Sequence, residues 1–351
     1  MRYTTFGRNN GLRVSELALG TANFGAAWGG GASREESRKM FERFAEAGGT
    51  FIDTADSYQL GQSEQFLGEL IGSDRDRFVL ATKFSLGNAR PHVSTTGNSR
   101  KNIIRSVDAS LKRLGTDHID LYWAHLPDTV TPVEEILTTL DQLVRAGKIG
   151  YTGLSNFPAW QVSRAVTLAE LRGWSPLVGV QFEYSLAERS ADRELLPMAE
   201  ALGLGTALWA PLGGGLLTGK YREGRGGRLS DWDGRGIRTE DSAQRTDVLD
   251  TVLAVAREGG HSPVQVAVAW LRARAAAAAT AVVPVIGPRD AGQLEGYLSA
   301  LDVTLDTASL RRLDDVSAVR PGTPHELVAN TLDVVLGGGA GRVVRPPVPV
   351  A

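Results

Sequence analysis

The chain of 351 residues carries 38 Lys+Arg against 40 Asp+Glu, a formal charge of -2, so it lacks the broad basic field that holds nucleic acid or an anionic membrane and points to a small-molecule partner. Cysteine is absent, which removes disulfides, thiolate nucleophiles and thiolate zinc sites and fits a reducing compartment. The opening MRYTTFGRNNGLRVSE has no apolar signal-peptide core, and the most apolar segment, 275–287, is 13 residues long and interrupted by Thr280 and Pro284, short of the roughly 20 residues a membrane helix needs, so a cytoplasmic protein is expected.

An N-terminal hairpin comes first, with Asn9-Asn10-Gly11 as the turn between two short strand-like runs. A repeated alternation follows. Short apolar runs fall at 17–20, 50–52, 78–81, 119–124, 151–154, 178–182, 206–209 and 282–286, eight in all. Between them lie segments of helical period. Ser33 and Glu36 have the spacing of a capping box, Met40, Phe41, Phe44 and Ala45 form one face, and Gly48-Gly49 ends the helix. Thr131-Pro132-Val133-Glu134 repeats that logic, with proline at the first helical position and Gly147 near the end. Strands apolar throughout, alternating with helices, imply a parallel sheet covered on both faces. Eight such units imply an α/β fold closed as a single (β/α)8 TIM barrel, built from roughly residues 12–315. The expected domain is 1–335, with long rim loops after the first, third and seventh strands and at the C-terminus, followed by a low-complexity tail over 336–351. The Gly- and Arg-rich stretch 213–245 is too long for a mere connection.

In such a barrel the chemistry gathers where the strands end. The second run ends in Asp53, with Tyr58 five residues on; the third reaches Lys83, the fourth His125, the fifth Ser155 and Asn156, the sixth Gln181 and the seventh Trp209. Taken singly, each has a structural explanation: an aspartate after a strand is commonly a turn former, and a lysine is commonly a solvated charge. Together they suggest a general acid. A tyrosine holds its proton to about pH 10, but a neighbouring ammonium favours the phenolate and lowers that value. Lys83 would supply the ammonium, Asp53 would orient it, and His125 would donate a hydrogen bond to a carbonyl oxygen beside the phenol.

Through the stretches GTFIDTADSYQLGQSE, VLATKF, IDLYWAH, YTGLSNF, VQFEYS, PLGGGLLTGKY and VVPVIGPRDAGQLEGYL, the chain resembles the aldo-keto reductase superfamily along nearly its whole length. The resemblance implies a carbonyl reductase that uses NADPH (NADP+) in preference to NADH, with Tyr58 as general acid and Asp53, Lys83 and His125 around it. It implies a nicotinamide stacked on Trp209 and held by Ser155, Asn156 and Gln181, with Thr21 and Asp53 nearby. It further implies that Pro211, Leu212, Gly213, Gly215 and Lys220 close over the pyrophosphate, and that Gly287, Arg289 and Gln293 take the adenosine end. Many members carry Glu-Asn where this chain has Gly296-Tyr297.

Gly214, Gly219 and Lys220 also match the spacing of a nucleotide P-loop, but Tyr221 stands where that motif needs Ser or Thr. The loops 23–32, 85–99 and 321–336 are expected to set specificity, with Trp28 walling a substrate pocket that includes Tyr58 and His125. No metal cluster is apparent at the rim, and the oligomeric state and the carbonyl substrate stay open. So does an alternative function, an NADPH-binding regulatory or scaffold subunit with little turnover.

Overall fold

The computed structural model describes residues 1–87, 92–222 and 239–349. The hairpin pairs β1 (Tyr3–Thr5) with β2 (Arg13–Ser15), Tyr3 opposite Ser15. Eight parallel strands then close into a barrel: β3 (Ala18–Gly20), β4 (Phe51–Asp53), β5 (Val79–Phe84), β6 (Ile119–Ala124), β7 (Ile149–Ser155), β8 (Leu177–Glu183), β9 (Gly205–Trp209) and β10 (Val282–Ile286), with β10 returning to β3. Every apolar run of the sequence falls on one of these strands. The fold is a (β/α)8 TIM barrel.

Helices α1 (Arg34–Glu46), α2 (Gln62–Ile71), α3 (Arg100–Leu114), α4 (Val133–Arg145), α5 (Ala159–Arg172), α6 (Leu195–Leu202), α7 (Ala243–Gly259), α8 (Pro263–Ala277), α9 (Ala291–Leu298), α10 (Thr307–Ser317) and α11 (His325–Val335) surround the barrel or follow it. The core divides along the strand period of two. Outward residues such as Leu19, Ile52, Leu80, Tyr122 and Leu154 pack under the helices, whereas Ala18, Phe51, Ala81, Leu121 and Trp123 fill the interior. The hairpin seals the lower mouth. Phe6, fully buried, meets Phe51 and Trp123 edge-on at 5.4 and 6.1 Å between ring centres. Glycine is required around it, because a Cβ on Gly179 or Gly205 would come within 2.3 or 2.8 Å of the Phe6 ring.

Two helix starts differ from the sequence reading. Ser33 accepts from the Glu36 N–H as expected, but the Glu36 carboxylate does not return to Ser33. It accepts instead from the N–H of Ala291 at 2.7 Å, at the start of α9. Thr131 binds the carboxylate of Asp128 through both N–H and hydroxyl at 2.8 and 2.7 Å, so Pro132 becomes the cap and α4 begins at Val133. Of the stretch 213–245, residues 223–238 lie outside the described residues, as do 88–91 of the loop after β5. What precedes them after β9 is a tight 3-10 turn, Gly213–Thr218, in which Gly214 and Gly215 have φ of 69° and 103°.

Candidate active site

The period that fills the barrel also builds the site. Asp53 is two residues past Phe51 on β4, Lys83 two past Ala81 on β5, and His125 two past Trp123 on β6, so all three continue the inward-facing set at the upper rim. Ser155, Gln181 and Trp209 hold matching places on β7, β8 and β9, with Ser155 paired to Gln181 and Glu183 to Trp209.

Lys83 is fully buried and donates in three directions: to Asp53 Oδ2 at 2.5 Å, to the Thr54 carbonyl at 2.8 Å and to the Tyr58 hydroxyl at 3.2 Å. That satisfies all the hydrogens of an ammonium. Burial alone would lower its pKa, but the negative charge of Asp53 and the coupling to Tyr58 outweigh burial and raise it above the usual lysine value. The ammonium also lies 4.9 Å from the Tyr58 ring centre. Asp53 is held from its other side, because Gln181 donates to Oδ1 at 2.9 Å. Gln181, read from the sequence as a cofactor contact, orients the carboxylate in this structure.

His125 stands edge-on to Tyr58, 5.9 Å between ring centres and 79° between planes. Burial, followed by the nearby Lys83 charge, lowers its pKa to about 3, so the ring is neutral at physiological pH. Its Nδ1 has no hydrogen-bond partner among the described residues, which favours the tautomer carrying hydrogen on Nε2. Trp28 approaches Tyr58 from the rim, again edge-on, at 6.1 Å and 81°. The sequence-read group of Asp53, Tyr58, Lys83, His125 and Trp28 thus meets in one place.

A second group adjoins it. Asn156, at φ 60°, donates through Nδ2 to the His125 carbonyl and to Ser155 Oγ, both at 3.0 Å, and accepts from Trp209 Nε1 at 3.0 Å. Asparagine tolerates this left-handed backbone better than most side chains. The half-buried Trp209 is thereby fixed in orientation, and the chain turns sharply at Ala210 (φ 54°) into Pro211 and Leu212. Gly215 lies against Lys220, where a Cβ would come within 2.8 Å of the lysine Cε. Gly219 ends the 3-10 turn, and the described residues that follow it, Lys220 to Arg222, are in a turn.

Thr21 is fully buried, its hydroxyl bonded to the Asp53 carbonyl at 3.2 Å and shared with Ser63 at 2.8 Å. Gln293 is engaged at the start of α9, accepting from the Arg289 N–H at 3.1 Å and donating to Asp290 at 2.9 Å. The turn at Gly287 and Pro288 is fixed by Asn23, whose Nδ2 donates to both carbonyls at 3.1 and 3.0 Å. The sequence reading did not single out Asn23 for this, and a bond spanning more than 260 residues leaves no local pattern.

Sequence reasoning also missed a buried cluster outside the barrel wall. There Glu64 binds Thr82 and Arg113 at 2.6 Å each, and both Asp56 Oδ1 and the Tyr122 hydroxyl have no partner among the described residues. Burial, then the charge of Glu64, raises the Asp56 pKa to about 7, against the opposing pull of Arg113, Arg105 and the Ser57 N–H. An acid two residues from Tyr58 was the available signal. The loop 321–336 contains α11 and joins the segment after β8, where His325 meets Glu194 at 3.1 Å and Arg193 donates to the Arg320 carbonyl at 2.9 Å.

A TIM barrel whose rim joins a buried lysine to an aspartate and a tyrosine, with a neutral histidine alongside, has the form of an enzyme that moves a proton to or from an oxygen. The chain belongs to the aldo/keto reductase family, which it matches over residues 16–318. It is 38% identical over 328 residues to the uncharacterized oxidoreductase YrpG of Bacillus subtilis, covering 90% of this chain and 96% of that one. It is 34% identical over 345 residues to an aryl-alcohol dehydrogenase [NADP(+)] of Phanerodontia chrysosporium, covering 92% and 88%. A norsolorinic acid reductase of Aspergillus flavus is 34% identical over 331 residues, covering 92% and 82%. The chain is accordingly an oxidoreductase of carbonyl compounds. Among the described residues, no helix is long and apolar enough to cross a membrane, and no group of three or more candidate side chains could hold a metal.

Proposed function

We propose that the protein reduces an aldehyde or ketone to an alcohol with NADPH, Tyr58 acting as the general acid. The observation that carries this reading is the 3.2 Å contact from the buried Lys83 ammonium to the Tyr58 hydroxyl. In that contact the lysine donates and the phenol oxygen accepts, which is the direction that lets the hydroxyl give its own hydrogen to a substrate oxygen. The ammonium stabilises the phenolate left behind. His125, neutral and carrying its hydrogen on Nε2, donates to the same substrate oxygen as negative charge develops there.

When bound, the nicotinamide supplies a hydride to the carbonyl carbon. The residues present fit such a group. Trp209 offers a flat face whose orientation is set by Asn156, and Ser155 and Asn156 place hydroxyl and amide groups beside it. The left-handed glycines of 213–215 allow backbone to approach phosphate closely. Arg289 would grip a 2'-phosphate as a charge-assisted pair. Kinship with a relative named for NADP(+) and an aryl alcohol supports NADPH and an aromatic carbonyl substrate.

Tyr58→Phe is the test. NADPH oxidation in the presence of an aromatic aldehyde should fall by about 10²- to 10⁴-fold, while NADPH binding, followed by fluorescence titration, is retained. Parental turnover in this variant would exclude Tyr58 as the acid. If the parent protein binds NADPH tightly but reduces no carbonyl in a broad panel, it is a cofactor-binding scaffold instead.

A further inference from the structure

We propose that Gln59 is a specificity-determining positioning residue: it ties the 23–32 loop to the turn bearing Tyr58 and so fixes Trp28 as the wall that large apolar carbonyl substrates meet. The inference rests on the reading of Tyr58 as the acid and extends it to the shape of the pocket.

Gln59 follows Tyr58 directly and is fully buried, yet its backbone is left-handed, φ 49° and ψ 38°, as is that of Leu60 at 56° and 34°. Two consecutive residues other than glycine in this region are uncommon, and such strain persists only where surrounding contacts fix it. The fixing contacts come from the Gln59 amide. Its Oε1 accepts from the Trp28 N–H at 2.9 Å, and its Nε2 donates to the carbonyls of Ala22 at 3.0 Å and Gly30 at 3.2 Å. Gln62 adds a fourth tie by accepting from the Ala26 N–H at 3.1 Å.

The loop lies close to its tether. A Cβ on Gly25 would come within 2.9 Å of the Gln59 Cβ, and one on Gly31 within 2.0 Å of the Gly25 carbonyl. Phe24 and Ala32 are buried at the two ends, but Ala26, Ala27 and Gly29 between them are exposed. Little apolar burial is available to hold the middle of the loop, so polar ties to the Tyr58 turn carry that task. Trp28 sits in this middle, edge-on to Tyr58 at 6.1 Å. A bulky substrate held against the phenol would touch that indole, whereas a two- or three-carbon aldehyde would not reach it.

Two variants separate backbone from tether. Gln59→Asn keeps a residue tolerant of left-handed backbone but is too short to reach Trp28 and Gly30; Gln59→Gly removes strain and tether together. In both, the ratio of kcat/KM for 2-naphthaldehyde to that for propanal should fall about tenfold, the change residing in KM, and the Trp28 amide should exchange its hydrogen about tenfold faster. Trp28→Ala should lower the ratio similarly, and adding it to Gln59→Gly should lower it no further, since both changes remove one wall. An unchanged ratio or exchange rate in the variants, or effects of Gln59→Gly and Trp28→Ala that multiply, would overturn the proposal. So would a Gln59→Asn variant that behaves as the parent. If the parent reduces no carbonyl in the broad panel, the reductase reading fails, and exchange at Trp28 still decides whether the tether exists.

Discussion

The two oxygens of Asp53 are divided between two partners, Lys83 at 2.5 Å on Oδ2 and Gln181 at 2.9 Å on Oδ1. Removing the lysine would leave a buried carboxylate with one amide donor. Lys83→Met should therefore cost about 3–5 kcal/mol of stability in urea unfolding and lower carbonyl reduction by about 10²-fold or more. Pairing it with Asp53→Leu should restore much of the stability and none of the turnover. Recovery of turnover in the double variant would show that the ion pair serves the fold alone.

Opposed titrations are built into the two faces of the barrel wall. His125 has its pKa lowered to about 3, so between there and its unfolded value near 6.5 the unfolded chain holds the extra proton, and stability falls as the pH falls. Asp56, raised to about 7, does the reverse: the folded chain holds the proton, and its contribution is lost as pH rises from about 4 toward 7. Asp56→Asn should remove that loss. Relative to the parent, the variant should gain stability at about 1.4 kcal/mol per pH unit across this window, read from urea midpoints at pH 4.5, 5.5 and 6.5. Parallel curves for the two proteins would mean that Asp56 ionises at its ordinary value.

Arg289→Ala tests the adenosine end. A charge-assisted contact to a 2'-phosphate contributes about 1.5–3 kcal/mol, so preference for NADPH over NADH, measured as a ratio of kcat/KM, should drop by about 10- to 100-fold. An unchanged ratio would place 2'-phosphate recognition elsewhere.

Asn156 joins His125, Ser155 and Trp209 from a left-handed backbone position. Asn156→Ala and Asn156→Gly should both weaken NADPH binding by about tenfold or more in fluorescence titrations, since each loses the amide. Alanine should in addition be less stable than glycine by about 1 kcal/mol, because only glycine is unstrained at φ 60°. Parental affinity in both variants would remove Asn156 from the cofactor site.

Much of the barrel could be read from the chain because its strands are buried on both faces and so appear as unbroken apolar runs. The grouping of the rim side chains was legible for a related reason. Asp53, Lys83 and His125 each sit two residues beyond an inward-facing residue, and strand geometry alone then aims them together. What escaped depends on competition for the same polar groups, distant in one case and local in the other. The spacing of Ser33 and Glu36 signals a reciprocal cap, yet Glu36 serves Ala291; Thr131 reads as a helix start, yet Asp128 captures it. The left-handed turn at Gln59 and Leu60 has a glycine only at its end, Gly61 at φ 91°, and the partners of the Gln59 amide lie 29 to 37 residues away.

Phe6 and the hairpin plug the lower mouth of a barrel whose interior is already filled by Phe51, Leu121 and Trp123. With the floor packed, water can approach the buried charges of Lys83 and Asp53 only from the rim above. Whatever covers that rim therefore decides how dry the ion pair is, and a phenylalanine at the far end of the molecule guards its other side.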